Sequence, residues 1–300
     1  MVLGALIAVQ SRINGELGRR LDDGYLAAVV SIGVGLVLLS ATMAVTATGR
    51  QAMNRWVSAV TGGDYPRWYF IGGGCGAVLV LSQGLTAAIL GVALFSVAIV
   101  AGQSLSGLVV DRRGLGTMLP KPVTALRVVG TILMVLAVVW AVSGQLSLSG
   151  GWLWLLLPLV GGLLGSFQQA INGQVRQITE SILVTTWANF AVAMVVLIVT
   201  FVLHGLLTSW PAGLPSSWWL YLGGPLGITF VAGASVLVHR IGVLVLGLCT
   251  TAGQLIGSLV LDLVVPPEGH QLAWTTVAGT GLALVAIGVT SLPSRRIHRT

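Results

Sequence analysis

Charge is what this sequence most lacks. Of 300 residues, 15 are Lys or Arg and 8 are Asp or Glu, 8% in all, where soluble domains carry about a quarter. With 55% hydrophobic residues, a soluble fold would have too little polar surface to cover itself. The two cysteines, Cys75 and Cys249, lie inside apolar runs far apart in the chain, a pattern that offers no disulfide framework and no thiol nucleophile. The four histidines, His204, His239, His270 and His298, include no pair at metal-ligand spacing. HExxH, GxSxG and the P-loop signature are missing, and without the last there is no P-loop coupling to ATP hydrolysis. No enzyme activity, metal or cofactor is therefore expected.

What is present is hydrophobic length. Runs such as "VSIGVGLVLLSATMAVTAT" are unbroken, whereas barrel strands alternate apolar and polar residues. Helices satisfy their own backbone in lipid, and each needs about 20 mainly apolar residues to cross. Breaks at charge, Pro, Gly or Trp divide the chain into ten such segments: 2–14, 24–47, 68–88, 91–111, 123–142, 152–172, 182–204, 217–237, 241–262 and 272–291. The fold class expected is an all-α integral membrane protein of ten transmembrane helices, the first of them shortened. "MVLGALIAVQ" has no basic n-region and no cleavage site, so it reads as that shortened helix rather than a removable signal. Trp68, Trp140, Trp152, Trp154, Trp218, Trp219 and Trp274 fall near segment ends, where amphipathic rings meet headgroups.

The net charge of +7 is dispersed over short loops and forms no nucleic-acid surface. With the N-terminus inside, the inner segments hold Arg50, Arg55, Arg67, Arg112, Arg113, Lys121, Arg127, Arg176, Arg240, Arg295, Arg296 and Arg299. The outer ones hold only Arg12, Arg19 and Arg20. The positive-inside rule then places both termini in the cytoplasm.

The chain also repeats itself. At an offset of 151, Trp68 to Asp111 aligns without gaps to Trp219 to Asp262, matching at 13 of 44 positions, where this composition gives roughly one in ten by chance. "RINGELGRR" and "AINGQVRQI" correspond at an offset of 158, and Gly130-Thr131 and Gly279-Thr280 at 149. The domains expected are two repeats, 1–145 and 146–300. Five helices per repeat is an odd number, so the second copy enters the membrane from the opposite side. Such inverted repeats can exchange inward-open and outward-open arrangements around a site at their interface.

These residues resemble the YdcZ-like branch of the drug/metabolite transporter superfamily (EamA/DMT-like). The resemblance rests on "AVQSRINGELGRRLDDGYLAAVVSIGVG" with "SFQQAINGQVRQITESILVTTWANFAVA", and on "GVALFSVAIVAGQSLSGLVVDRRG" with "GVLVLGLCTTAGQLIGSLVLDLVVPPEG". It covers nearly the whole chain and implies a bacterial inner-membrane transporter, without supplying a substrate. Departures are the missing start of the first helix and "DLVVPPEG" where the first copy has "DRRGLG".

Gln103, Gly107 and Asp111 stand at i, i+4 and i+8, one stripe of a helix, as do Gln254, Ser258 and Asp262. Amides at mid-membrane must face protein, water or ligand, so Gln103 and Gln254 are candidate substrate contacts, or else interhelical hydrogen bonds. Asp111 and Asp262 fall at helix ends, as loop anchors or as a symmetric pair of gates. Asn14 and Asn172, each before a Gly, read as helix C-caps and second candidates for substrate contact. Glu16, with Gln174 as its counterpart, is an exposed loop carboxylate or a coupling acid. Small residues at four-residue spacing, as in Gly72/Gly76, Gly161/Gly165 and Gly253/Gly257, allow close helix packing.

The function expected is a secondary transporter that moves a small polar metabolite or drug-like solute by alternating access, with proton coupling left open. The lack of a midplane acid favours a neutral or zwitterionic solute over a permanent cation. The alternative is a membrane scaffold or accessory subunit that binds lipid or protein, with Gln103 and Gln254 locked in helix contacts and no polar cavity between the halves. The partners expected are a small-molecule substrate and membrane lipid, with a homodimer left open and no nucleic acid.

Overall fold

The computed structural model describes residues 1–63, 66–113, 124–143, 151–208, 213–241, 243–266 and 273–291. Among these there is helix and no strand. The helices are α1 Val2–Leu21, α2 Gly24–Val45, α3 Ala47–Gly62, α4 Ile71–Leu90, α5 Val92–Arg113, α6 Ala125–Ser143, α7 Leu156–Thr179, α8 Ile182–Gly205, α9 Gly223–Ile241, α10 Val243–Val264 and α11 Trp274–Ser291. Seven helical segments are long and apolar enough to cross a membrane, among them Gly24–Val45, Val92–Val110, Ile182–Gly205 and Trp274–Ser291. Lys121 and the basic tail of Arg295, Arg296 and Arg299 lie outside the described residues, as do the side chains of Asp111 and Arg240.

The packing is that of a protein immersed in lipid. Val128, Ile132, Leu136 and Val139 of α6, and Val195, Val199 and Leu203 of α8, are 39% to 62% exposed. Such stripes would form apolar patches far larger than a soluble monomer carries. The interior is instead rich in polar side chains, with Ser11, Asn14, Ser31, Gln83, Thr86, Ser96, Ser258 and Thr280 at 1% exposure or less.

Two sequence expectations change. The first helix runs to Leu21, through Asn14 and Gly15 and past the end expected at residue 14, so at 20 residues it is about 30 Å long. Likewise α7 continues past Asn172 and Gly173 to Thr179. Asn-Gly stops neither helix, because in lipid an interrupted ladder would leave backbone groups with no water to bond. The turns come where Asp22 (φ 52°) and Glu180 (φ 50°) take left-handed backbone. Asp23 then caps α2, its side chain accepting from the backbone N–H groups of Tyr25 at 2.8 Å and Leu26 at 2.9 Å. Ser181 caps α8 in the same way through Val184 at 3.3 Å. The second change is α3, an amphipathic helix outside the ten expected segments. Its Ala52 packs with Met43 and Val184, and its Trp56 meets Trp187 edge-on at a centroid distance of 5.7 Å.

Equivalent residues of the two sequence copies make equivalent contacts. The Cα of Gly4 in α1 abuts the backbone of Thr250 in α10, and Gly162 in α7 abuts Ile99 in α5. Conversely Gly253 meets Met1, and Gly102 meets Leu159. Gly130 of α6 rests on Ala286 and Thr290 of α11, while Gly279 of α11 rests on Ala137 and Ala141 of α6. None of these positions has room for a Cβ, so the glycines fix how closely the two halves meet.

Candidate functional site

Where the halves meet, a cavity of about 320 Å³ is lined by α1, α2, α4 to α11 except α3, a size at the low end of small-molecule pockets. Its polar lining consists mainly of amides, with Gln10 from α1, Gln103 from α5, Gln168 and Asn172 from α7, Asn189 from α8 and Gln254 from α10. Gln103 and Gln254 are equivalent positions of the two copies, and so are Gln10 and Gln168. Phe190 and Phe230 supply apolar wall. No carboxylate lines the cavity among the described residues, and Arg127 is the cation that does.

Glycine makes room for the inner pair of amides. A Cβ on Gly227 would stand 2.9 Å from Gln10 Nε2 and 3.4 Å from the Phe190 ring. In the other copy, Gly76 lies against the amide nitrogen of Gln168 and 3.3 Å from Asn189 Oδ1. Gln168 Nε2 donates to Asn189 Oδ1 at 3.1 Å, and Asn189 Nδ2 donates to Asn172 Oδ1 at 3.0 Å. Gln254, 2% exposed, keeps Nε2 without a hydrogen-bond partner. Neither Gln10 nor Gln103 spends its side chain on a bond to protein among the described residues.

The two ends of the bundle differ. At the end where α1 finishes, Gly18 of α1 and Gly24 of α2 both press on the backbone of Gly84 in α4. Just below, Asn14 Nδ2 donates to Gln83 Oε1 at 2.7 Å, and Gln83 Nε2 donates to Ser11 Oγ at 3.1 Å. Asn14 is thus fully buried in a closed layer and does not line the cavity. Asp262, 2% exposed, accepts from the backbone N–H groups of Val92 at 3.1 Å and Ala93 at 2.7 Å. It caps α5 and ties the end of α10 to it. Arg20 donates to Ser217 Oγ at 2.9 Å and lies 5.2 Å from the Trp219 ring centroid, while Arg12 donates to the carbonyl of Pro266 at 3.3 Å. Glu16 is no loop residue. It sits in α1, held by Arg19 at 2.8 Å and Arg20 at 2.7 Å.

At the end where α7 finishes, the equivalents stay apart. Gly173, the counterpart of Gly15, has nothing within 4 Å of where a Cβ would stand, and neither does Gly247. Helix α1 packs along α4, but no comparable packing of α7 on α9 exists among the described residues. The cavity reaches toward this end, past Leu108 late in α5, Arg127 and Thr131 early in α6, Leu248 early in α10 and Thr290 at the end of α11. Asp111 is in the last turns of α5 at the same end.

Of the residues singled out from sequence, Gln103, Gln254 and Asn172 share the cavity, while Asn14, Glu16 and Asp262 belong to the closed end. Gln10 and Gln168 were missed, although a Gln four residues before each Asn-Gly was a legible signal, one helical turn away on the same face. A search of curated proteins finds no match to this chain. The family model described as "Putative inner membrane exporter, YdcZ" matches residues 1–140 and 153–290. The chain belongs to this family of membrane transporters of the drug/metabolite type.

Proposed function

We propose that the protein is a secondary transporter with ten spanning helices in two inverted repeats, captured open to the cytoplasm, and that it exports a small polar solute by alternating access. The carrying observation is a polar cavity between the halves, sealed at one end by contacts whose equivalents at the other end are unmade among the described residues. A scaffold would have no use for such a cavity. The basic residues near the open end, Arg112, Arg113, Arg127 and Arg176, put that end inside by the positive-inside rule.

The exchange follows from the repeat. Asp111 stands 151 residues before Asp262, and Val243 and Leu244 stand 151 after Val92 and Ala93. Opening the outer end breaks the Asp262 cap on α5, and closing the inner end builds the same cap from Asp111 onto α10. One cap replaces another, so the two states stay close in energy, as a transporter needs.

Thiol accessibility in lipid nanodiscs tests this without a known substrate. On a Cys75→Ser, Cys249→Ser background, a single cysteine at Gly173 should react fast and one at Ser31, buried in α2 beside Asn14, slowly. Adding Gly84→Leu, which forces α1 and α2 off α4, should reverse the order. If the Ser31 probe stays protected in the folded double variant, or both probes react alike, alternating access fails.

A further inference from the structure

Resting on the transporter reading, we propose the chemical class of the solute: an uncharged molecule with a flat body and an edge that offers N–H and C=O side by side, as a carboxamide or lactam does. A glutamine amide carries an acceptor oxygen and a two-proton donor nitrogen on one plane. Its best partner is the same pattern reversed, which is how Gln and Asn read a base edge with two bonds at once. The cavity presents Gln10, Gln103, Gln168 and Gln254 from four different helices. Three of these keep bonding capacity unspent, and the Nε2 of Gln254 is both buried and unpartnered.

A buried donor left without a partner is costly, and the protein bears that cost at Gln254 until a ligand carbonyl arrives. The flat body follows from the walls. The Phe190 ring and the Gln10 amide nitrogen flank the same glycine, Gly227, so a solute bonded to Gln10 lies beside an aromatic ring, against which a flat body packs well. Charge is selected against in both directions. A cation would be desolvated with no carboxylate among the described lining residues and with Arg127 beside it. An anion would find one guanidinium already engaged in contacts of its own and amide oxygens facing it elsewhere.

Benzamide, benzoate and benzamidinium share one flat ring and differ in charge and in edge pattern, and acetophenone keeps the carbonyl but loses the N–H. Thermal unfolding of the purified protein in detergent is measured against each, with uracil as a lactam. Benzamide and uracil should raise the melting temperature, with half-maximal effect at roughly tenfold lower concentration than the other three, the factor that one mismatched hydrogen bond sets. Gln254→Ala and Gln103→Ala should abolish the shift while melting normally without ligand. Gln254→Glu should restore a shift only for benzamidinium. Equal or better stabilisation by benzoate or benzamidinium overturns the class proposed, as does no shift with any probe. Either failure leaves the accessibility reversal of Gly84→Leu standing if the protein is still a transporter, so the two readings fall separately.

Discussion

At the scale of the residue, the closed end is asymmetric because of Gln83. It joins Asn14 and Ser11 across α1 and α4, yet its counterpart in the second copy is Ala234, which can build no such layer at the inner end. Hydrogen bonds between helices in a membrane average about 0.6 kcal/mol and reach about 1.7. Gln83→Ala should therefore shift the equilibrium toward outward-open roughly threefold to twentyfold, read as faster labelling of a cysteine at Ser31 than in the parent. Unchanged labelling would mean that the layer fills space and sets no balance. Gln103 tests the opposite role. Its side chain bonds nothing among the described residues, so Gln103→Ala should lower transport in proteoliposomes far more than folded yield. Equal losses would make it structural.

At the scale of the element, the helix ends decide the mechanism, and they were the part least legible in the sequence. Asp262 was visible as an acid at a helix C-terminus, where it opposes its own macrodipole. What the sequence did not reveal was its partner, the N-terminus of α5, 170 residues away, where an acid is favoured. Asp262→Ala should destabilise the closed outer end by about 1 kcal/mol, whereas Asp262→Asn should retain nearly all of it, because Asn caps as well as Asp. If Asn behaves like Ala in the Ser31 labelling assay, charge matters there and capping does not. The apolar segments, the copies and the amides at depth were readable because each rests on periodicity or composition. Asn-Gly misled because its turn tendency is a property of water-exposed chain, whereas Ile13 and Ile171 are buried against neighbouring helices. Helix α3 escaped because hydropathy looks for about 20 apolar residues, while this helix buries one narrow face around Gly49 and Ala52.

At the scale of the whole molecule, the two ends carry different chemistry although the halves share a plan. The outer end is held partly by arginines, Arg20 reaching Ser217 and Trp219 and Arg12 reaching the Pro266 carbonyl, while Glu16, on the same helix as Arg20, holds that side chain in place for its contacts. The inner counterparts of Arg12, Glu16 and Arg20 are Ala170, Gln174 and Ile178, which can form no ion pair. In the proposed cycle only the inward-open state gains from these interhelical contacts, and an exporter with that bias waits with its cavity toward the cytoplasm. Exposed ion pairs are worth about 0.2 to 1 kcal/mol and are screened by salt, with the screening length falling from about 10 Å at 0.1 M to about 3 Å at 1 M. Raising salt from low to molar concentration should speed labelling at Ser31 and slow it at Gly173. The effect should be the same for NaCl and KCl, and it should largely vanish in Arg20→Ala, whose labelling at low salt should already resemble the parent at high salt. A parent that labels identically at both salt concentrations would show that glycine packing and the Asp262 cap hold the outer end without help from charge.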